Sequence, residues 1–192
     1  VLIIGGEQTF SGAVLRNSPL EEIVPVQMPM MNRGFDTEDF LPALTEAGRS
    51  HFISAQREGA SFAWGALPPL SGSALIGPPK AGAITLLAHP RARAGGQPVP
   101  VCAVWEKGKG RVMLMSTDSF WRWAFSDPSS AEAVSAYHQF WYRAIRWLTR
   151  DPETNRITVT SERSARDGYS VSARVVDDQY KKARGVSVTM TL

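Results

Sequence analysis

Hydrophobic and polar positions alternate in different rhythms along this chain, and each rhythm predicts a different element. Val1-Leu-Ile-Ile4 is an unbroken apolar block that runs into Gly5-Gly6. This is the pattern of a strand buried on both faces, an interior parallel strand of an α/β sheet. Residues 7–35, with their turn formers and the segment Ile23-Val-Pro-Val26, read as loop with short strands. Asp36-Thr-Glu-Asp39 gathers acids as a helix start does, so a short helix is predicted over Asp36 to Leu44. Residues 51–62 fit no single period. Leu67-Pro-Pro-Leu70 and Gly77-Pro-Pro79 read as extended and irregular. Ala83 to Ala88 is a strand, and Arg91 to Pro98 a surface loop. Val99 to Trp105 and Arg111 to Ser116 form a hairpin closed by Glu106-Lys-Gly-Lys-Gly110.

The strongest helical pattern follows Asp127-Pro-Ser-Ser130 and spans about Ser130 to Thr149. Its apolar stripe consists of Val134, Tyr137, Trp141, Ala144, Ile145 and Leu148, with His138, Arg143 and Arg146 off it. Asp151-Pro152 stops the helix. Beyond it the period falls to two, in Ile157 to Thr160, Tyr169 to Val175 and Val186 to Leu192. Three such strands bury too little to stand alone. The expected organisation is an α/β domain over residues 1–152, followed at 153–192 by the first part of a β-sandwich. The chain opens inside a strand without an initiating Met, which marks it as a piece of something larger. No signal peptide is visible.

Composition changes this picture little. The 192 residues are 43% hydrophobic and 20% charged, so a proper core is expected and wholesale disorder excluded. Net charge is +3 overall. Residues 1–80 carry five basic and eight acidic side chains, a net of −3, and the remainder 16 basic and 10 acidic, a net of +6. The basic residues are scattered among acids rather than gathered on one groove, so no nucleic-acid partner is expected. No run reaches the roughly 18 apolar residues of a membrane helix.

Candidate chemistry is sparse. Cys102 is the only thiol, and it stands mid-strand rather than on the strand–turn–helix elbow a nucleophile needs, so it reads as a small buried hydrophobe. His51, His89 and His138 share no ligand spacing, and neither a metal nor a cofactor is expected. Thr117, Asp118 and Ser119 stand where a strand ends, the usual ligand crevice of an open α/β sheet. The same groups could instead satisfy backbone donors in a turn, which is the stronger reading. Trp121, Arg122 and Trp123 could stack a flat ligand. The favoured alternative packs the two rings against the following helix and pairs Arg122 with a carboxylate. Gly5-Gly6-Glu7-Gln8 could bring its backbone to a ligand but lacks the full glycine fingerprint.

Several segments, in the same order over residues 1–150, resemble a known family. They are Leu2-Ile-Ile-Gly-Gly6 with Phe10, Ile23 to Val26, Leu67 to Leu70, Lys80-Ala-Gly-Ala83, Gly108-Lys-Gly-Arg-Val112, Thr117-Asp-Ser-Phe-Trp-Arg-Trp123 and Phe140-Trp-Tyr-Arg-Ala-Ile-Arg-Trp-Leu148. The family is the glutamine amidotransferase-like domain of unknown function, which occurs in bacterial membrane-anchored proteins that often also carry a von Willebrand factor A domain. The resemblance implies a flavodoxin-like, three-layer α/β sheet whose first strands precede Val1. It also implies an Ig-like segment after residue 152, and a place at the cell envelope with membrane contact only through other parts of the parent chain. Active class I members use an elbow Cys with a His and an acid behind it; this chain has no elbow Cys and no His in the Thr117 to Trp123 loop.

Two expectations follow. One is a non-catalytic binding or scaffolding module, with no catalytic residue. It would meet a small polar ligand or a protein partner around Gly5, Gly6, Glu7, Gln8, Thr117, Asp118, Ser119, Trp121, Arg122 and Trp123. The other is an amidohydrolase or amidotransferase whose nucleophile lies upstream.

Overall fold

The architecture, a computed structural model, describes residues 1–10, 15, 16, 18–29, 33–55, 64, 67–125, 131–155, 157–163, 169–177, 183–187 and 189. At its centre is the expected hairpin, β6 (Gln97–Lys107) and β7 (Gly110–Met115), paired antiparallel in continuous register from Cys102–Met115 to Lys107–Gly110. β5 (Ile84–Ala94) lies antiparallel to β6. The two join through Gly95-Gly96, whose φ angles of 58° and 79° fall in the left-handed region that tight hairpin turns demand. The segment expected as a loop, Arg91 to Pro98, is therefore two strand ends and a two-glycine turn.

β1 (Leu2–Ile4) pairs parallel with β7, and β3 (Ala43–Leu44) pairs antiparallel with β5. The strand order is β1-β7-β6-β5-β3, a mixed sheet in which only the β1–β7 pair is parallel. This corrects the placement of Val1 to Ile4 as an interior strand. Among the described residues β1 is an edge, with Leu2 39% and Ile4 45% exposed. An unbroken apolar run signals burial on both faces, yet here only Ile3 packs well, against the core on the face away from the long helix.

That helix, α3 (Ala131–Leu148), covers the other face. Its buried side is Ala133, Ala136, Phe140, Arg143, Ala144 and Trp147, not the stripe drawn from the large apolar residues. The alanines let the helix come close to the sheet, and Phe140 and Trp147 fill the space beside them. Arg143, expected off the stripe, is buried and donates to Ala55 O at 2.6 Å. Tyr137, Trp141 and Leu148 lie only partly buried on the flank of the helix, and Ile145 is exposed. The core under α3 includes Cys102, Val104, Met113 and Met115; the opposite core includes Phe10, Val26, Ile76, Ala103 and Leu114. Adjacent residues on β6 and β7 thus feed opposite layers, as pleating requires.

The helix expected over Asp36 to Leu44 is absent. β2 (Phe35–Phe40) pairs with β4 (Leu70–Ala74), with a register shift between Asp36 and Asp39. The acids serve side-chain contacts rather than a helix start: Asp36 accepts from the Glu38 amide at 3.0 Å, and Asp39 pairs with Arg122. Two short helices, α1 (Pro19–Ile23) and α2 (Glu46–Ser50), cap the loops.

After a 3-10 turn at Pro152–Thr154 the chain forms a separate antiparallel pair, β8 (Ile157–Arg163) and β9 (Tyr169–Val175). Of the strand expected over Val186 to Leu192, the described residues 186, 187 and 189 are not in a strand. The rest lies outside the described residues.

Candidate functional site

β1 and β7 run parallel, so both deliver their carboxyl ends to one edge of the sheet. Gly5-Gly6 leaves β1 there, and Ser116-Thr117-Asp118 leaves β7. The two segments touch: a Cβ on Gly6 would stand 3.3 Å from Asp118 Oδ2. A Cβ on Gly5 would enter the Phe10 ring, at 1.9 Å from Cε2, so glycine is needed for that ring to pack against the backbone.

The glycine backbone is not the free donor set the sequence suggests. The Gly5 amide donates to Met115 O at 2.9 Å, extending the parallel ladder. The Gly6 amide donates to Thr9 Oγ1 at 3.0 Å, closing the turn that carries the exposed Glu7 and Gln8.

Two expected hydroxyls are also in structural use. Thr117 Oγ1 and Ser119 Oγ lie 2.8 Å apart, and both side chains are buried. Ser119 Oγ accepts from the Ser71 amide at 3.0 Å, while the Ser119 amide donates to Thr117 Oγ1 at 3.1 Å. Ser73 and Ser116 hydroxyls meet at 2.7 Å one step behind. This hydroxyl ladder welds the exit of β7 to β4, as the turn reading of these residues requires.

The aromatic turn at Ser119–Trp123 divides its residues. Trp123 does not lie on the ligand surface proposed for it. It is fully buried, donates from Nε1 to Pro68 O at 3.1 Å, and meets the Phe120, Phe140 and Trp64 rings at 4.6, 5.9 and 5.9 Å between centroids. Arg122 pairs with Asp39 at 3.0 Å. Hydrogen bonds from Ser71 and then Arg122 hold the Asp39 carboxyl below its ordinary range. Trp121, by contrast, is 56% exposed.

What remains open is a groove of about 180 Å³ whose walls include Ile4, Met115, Trp121, Tyr137 and Trp141, with Asp118 among its lining residues. Ile4, Tyr137 and Trp141 are site-lining residues the sequence reading missed, having placed the first in the sheet interior and the others in the helix core. The signal was the apolar stripe itself, which together with Phe140 and Trp147 is wider than one sheet-facing side can bury. The Asp118 carboxylate has no hydrogen-bond or ion-pair partner among the described residues. Trp141 Nε1 is shut off from solvent and equally unpartnered. A cationic or hydrogen-bonding group between aromatic walls is what such an arrangement can hold.

Cys102, His89 and Arg111 lie outside this groove and are buried. Cys102 is fully buried in β6, paired on both sides by β5 and β7, and burial pushes its thiol far up. His89 is buried: Nδ1 accepts from the Arg91 and Ala92 amides at 3.3 and 2.9 Å, so the proton belongs on Nε2. Nε2 lies 3.2 Å from Asp36 Oδ2, at an angle short of a hydrogen bond. Burial lowers the His89 pKa, against the opposing pull of Asp36. A larger hollow of about 500 Å³ lies near the start of β8 and includes His51, Trp105, Arg111 and Trp147 in its lining. There the buried Arg111 donates to Glu106, to Trp147 O at 2.8 Å, to Thr154 Oγ1 and to Asn155 Oδ1.

No family model matches the chain, and no curated protein does. Among solved structures, the chain is similar to "Cytoplasmic Protein STM1381 from Salmonella typhimurium LT2", at 22% identity and a TM-score of 0.53. It is also similar to "Cytoplasmic Protein STM3548 from Salmonella typhimurium", at 18% identity and a TM-score of 0.54. Each match covers 77% of this chain and 54% of the other, so the chain spans about half the length of the proteins it matches. No helix among the described residues is long and apolar enough to cross a membrane. The likeness is one of fold: a mixed α/β protein with a five-stranded mixed sheet and small β-hairpins, similar to bacterial proteins whose names state no activity.

Proposed function

We propose that residues 1–152 form a non-catalytic glutamine amidotransferase-like module that binds or scaffolds, in a bacterial protein anchored at the membrane. On this reading the mixed sheet, with α3 on one face and a second apolar layer on the other, is a variant of the flavodoxin-like three-layer arrangement. Residues 153–192 then open an Ig-like unit. The family motifs carry the assignment to that class.

One observation carries the non-catalytic part. Amide hydrolysis by a Cys enzyme needs an accessible thiolate beside a base and oxyanion donors. The only thiol of this chain is fully buried in the middle of a three-strand pairing, with its pKa pushed up by burial. The surface beside Gly6 and Asp118 offers instead aromatic walls and, among the described residues, an unpaired carboxylate and no thiol.

The test is ammonia release from glutamine by the protein and by its Cys102→Ser variant. No turnover in either is the expected result. Turnover lost with Cys102→Ser would overturn the reading. Turnover unchanged by that substitution would place the nucleophile elsewhere in the polypeptide and overturn it equally.

A further inference from the structure

We propose that the hollow of about 500 Å³ between the large sheet and the start of β8 binds a free α-amino acid with an apolar side chain. This goes beyond the reading of the domain as a non-catalytic module. The hollow lies at the Arg111 end of β7, opposite the end that carries Asp118.

The first ground is size and wall chemistry. Small-molecule sites run to roughly 300–1,000 Å³, and this hollow falls within that range. Its apolar walls come from separate elements: Ile84 and Val104 on the sheet, Trp147 near the end of α3, and Ile157 on β8. Val104 and Trp147 are buried, yet Ile84 is 39% and Ile157 63% exposed. Two large aliphatic side chains thus line one hollow from different sides and leave it unfilled. An apolar side chain placed between them would cover both.

The second ground is the polar floor. Arg111 is buried, and a guanidinium has five N–H donors. Nε donates to Glu106 Oε1 at 2.9 Å, Nη1 to Trp147 O and Thr154 Oγ1 at 2.8 and 3.1 Å, and Nη2 to Asn155 Oδ1 at 3.2 Å. One N–H of Nη2 is left over. Because Asn155 Oδ1 takes the Arg111 bond, its Nδ2 donors are left over as well. Neither these donors nor Glu106 Oε2 has a partner among the described residues. Nε and Nη2 are neighbours on one rigid fork, so Glu106 and Asn155 stand side by side on it. The floor therefore sets a negatively charged acceptor next to donors backed by a positive charge.

The third ground is the balance of charge. The Arg111 guanidinium and the Glu106 carboxylate offset each other, so a ligand of either sign alone would arrive without a counter-charge. An α-amino acid carries both signs on one carbon and no net charge. Its ammonium meets Glu106 Oε2, and its carboxylate meets Asn155 Nδ2 and the spare Nη2 N–H. Its side chain lies between Ile84 and Ile157. A lone amine or a lone acid keeps only part of these bonds.

The experiment titrates the 192-residue chain with leucine and follows its amide shifts. Isopentylamine and isocaproate are the comparison probes, being leucine without its carboxylate and without its ammonium. Serine is the third, keeping the charged head without the apolar side chain. Leucine should shift residues 82–84, 104–106 and 154–157. Each comparison probe should bind about tenfold more weakly. The Glu106 and Ile157 side chains are more than half exposed, so replacing either leaves the core intact. Glu106→Gln and Ile157→Ala should each weaken leucine binding about fivefold, and Asp118→Asn should leave it unchanged.

Equal binding of isopentylamine or isocaproate would overturn the zwitterion, and equal binding of serine the apolar side chain. Undiminished binding by Glu106→Gln or Ile157→Ala would overturn the pose. The site itself would fall if leucine caused no shift, or shifts confined to other residues. It would fall equally if the Ile84 and Ile157 methyl groups touched each other in the ligand-free protein, since the hollow would then be closed. Leucine binding bears neither way on glutamine hydrolysis, so this proposal and the non-catalytic reading fail separately.

Discussion

β6–β7 and β8–β9 are both antiparallel hairpins with unbroken register, yet they differ in what lies above and below them. In β6–β7 every residue from Val112 to Met115, and from Val99 to Val104, is buried. Alternate side chains pass to α3 on one face and to the Phe10, Val26 and Ile76 layer on the other. In β8–β9 the pairs Ile157–Val175 and Val159–Ala173 share one face, and Ile157 and Val159 remain 63% and 58% exposed. The opposite face carries Thr158, Arg174 and the Thr160–Ser172 hydroxyl pair at 2.6 Å. Alternation makes a strand, but only a second layer makes a core. Stability should therefore be concentrated in the first hairpin and its helix.

The sharpest way to break that contrast is Phe140→Ala. Phe140 is fully buried among Phe120, Trp123 and Trp64. Its truncation should lower unfolding free energy by about 3–5 kcal/mol, read as a shifted urea midpoint. A loss below about 1 kcal/mol would mean that α3 does not bear the core.

Next comes the link between the two regions. Arg111 leaves β7, is buried against Trp147, and bonds the chain at Trp147, Thr154 and Asn155 just ahead of β8. Arg111→Leu should cost about 1–3 kcal/mol, because it strands buried acceptors that Arg111 now satisfies. Limited proteolysis should also cut sooner around residues 150–157. An unchanged cleavage pattern would show that the hairpin is held by something other than this side chain.

These contrasts also show which features were legible from residues alone. β6 and β7 were readable because apolar content and burial agree in them, and Cys102 was placed correctly for the same reason; α3 was legible as a helix, but of its predicted stripe only Ala144 is buried. The Gly95-Gly96 turn carried a clear hairpin signal that the neighbouring prolines and arginines masked. The acids of Asp36 to Asp39 resembled a helix start because composition alone cannot tell a dipole contact from a side-chain ion pair. The sequence placed Gly5-Gly6 and Thr117-Asp118 at two strand ends, which are predictable, and the structure brings these two ends side by side. The sequence could not show that the Gly5 and Gly6 amides are spent on Met115 and Thr9, or that Trp123 turns inward while Trp121 turns out. Those assignments depend on partners distant in the chain.

A third test separates the two regions by pH. His89 lies in β5 of the large sheet, and burial lowers its pKa from the ordinary 6.5. The unfolded chain therefore takes up a proton at higher pH than the folded one. Stability from this group is complete above about 6.5, erodes as pH falls below that value, and levels off beneath the folded pKa. Titrated unfolding free energy should slope downward on the acid side, and His89→Gln should flatten the slope. A slope indifferent to that substitution would assign the acid sensitivity to other groups.

The smallest effect is expected where the pattern is best and the burial worst. Val159 alternates correctly, pairs with Ala173 and is 58% exposed. In a covered sheet, Val→Thr would place a hydroxyl in an apolar layer and cost more than about 1 kcal/mol. On an open face the hydroxyl stays in water, and threonine suits a strand about as well as valine. Val159→Thr should therefore change unfolding free energy by less than about 0.5 kcal/mol. The equivalent change at Val104, on the α3 side of β6, should cost several times more. If Val159→Thr proved as damaging as Val104→Thr, the outer face of β8–β9 would be covered in solution. The contrast between the two hairpins would then be one of visible partners rather than of stability.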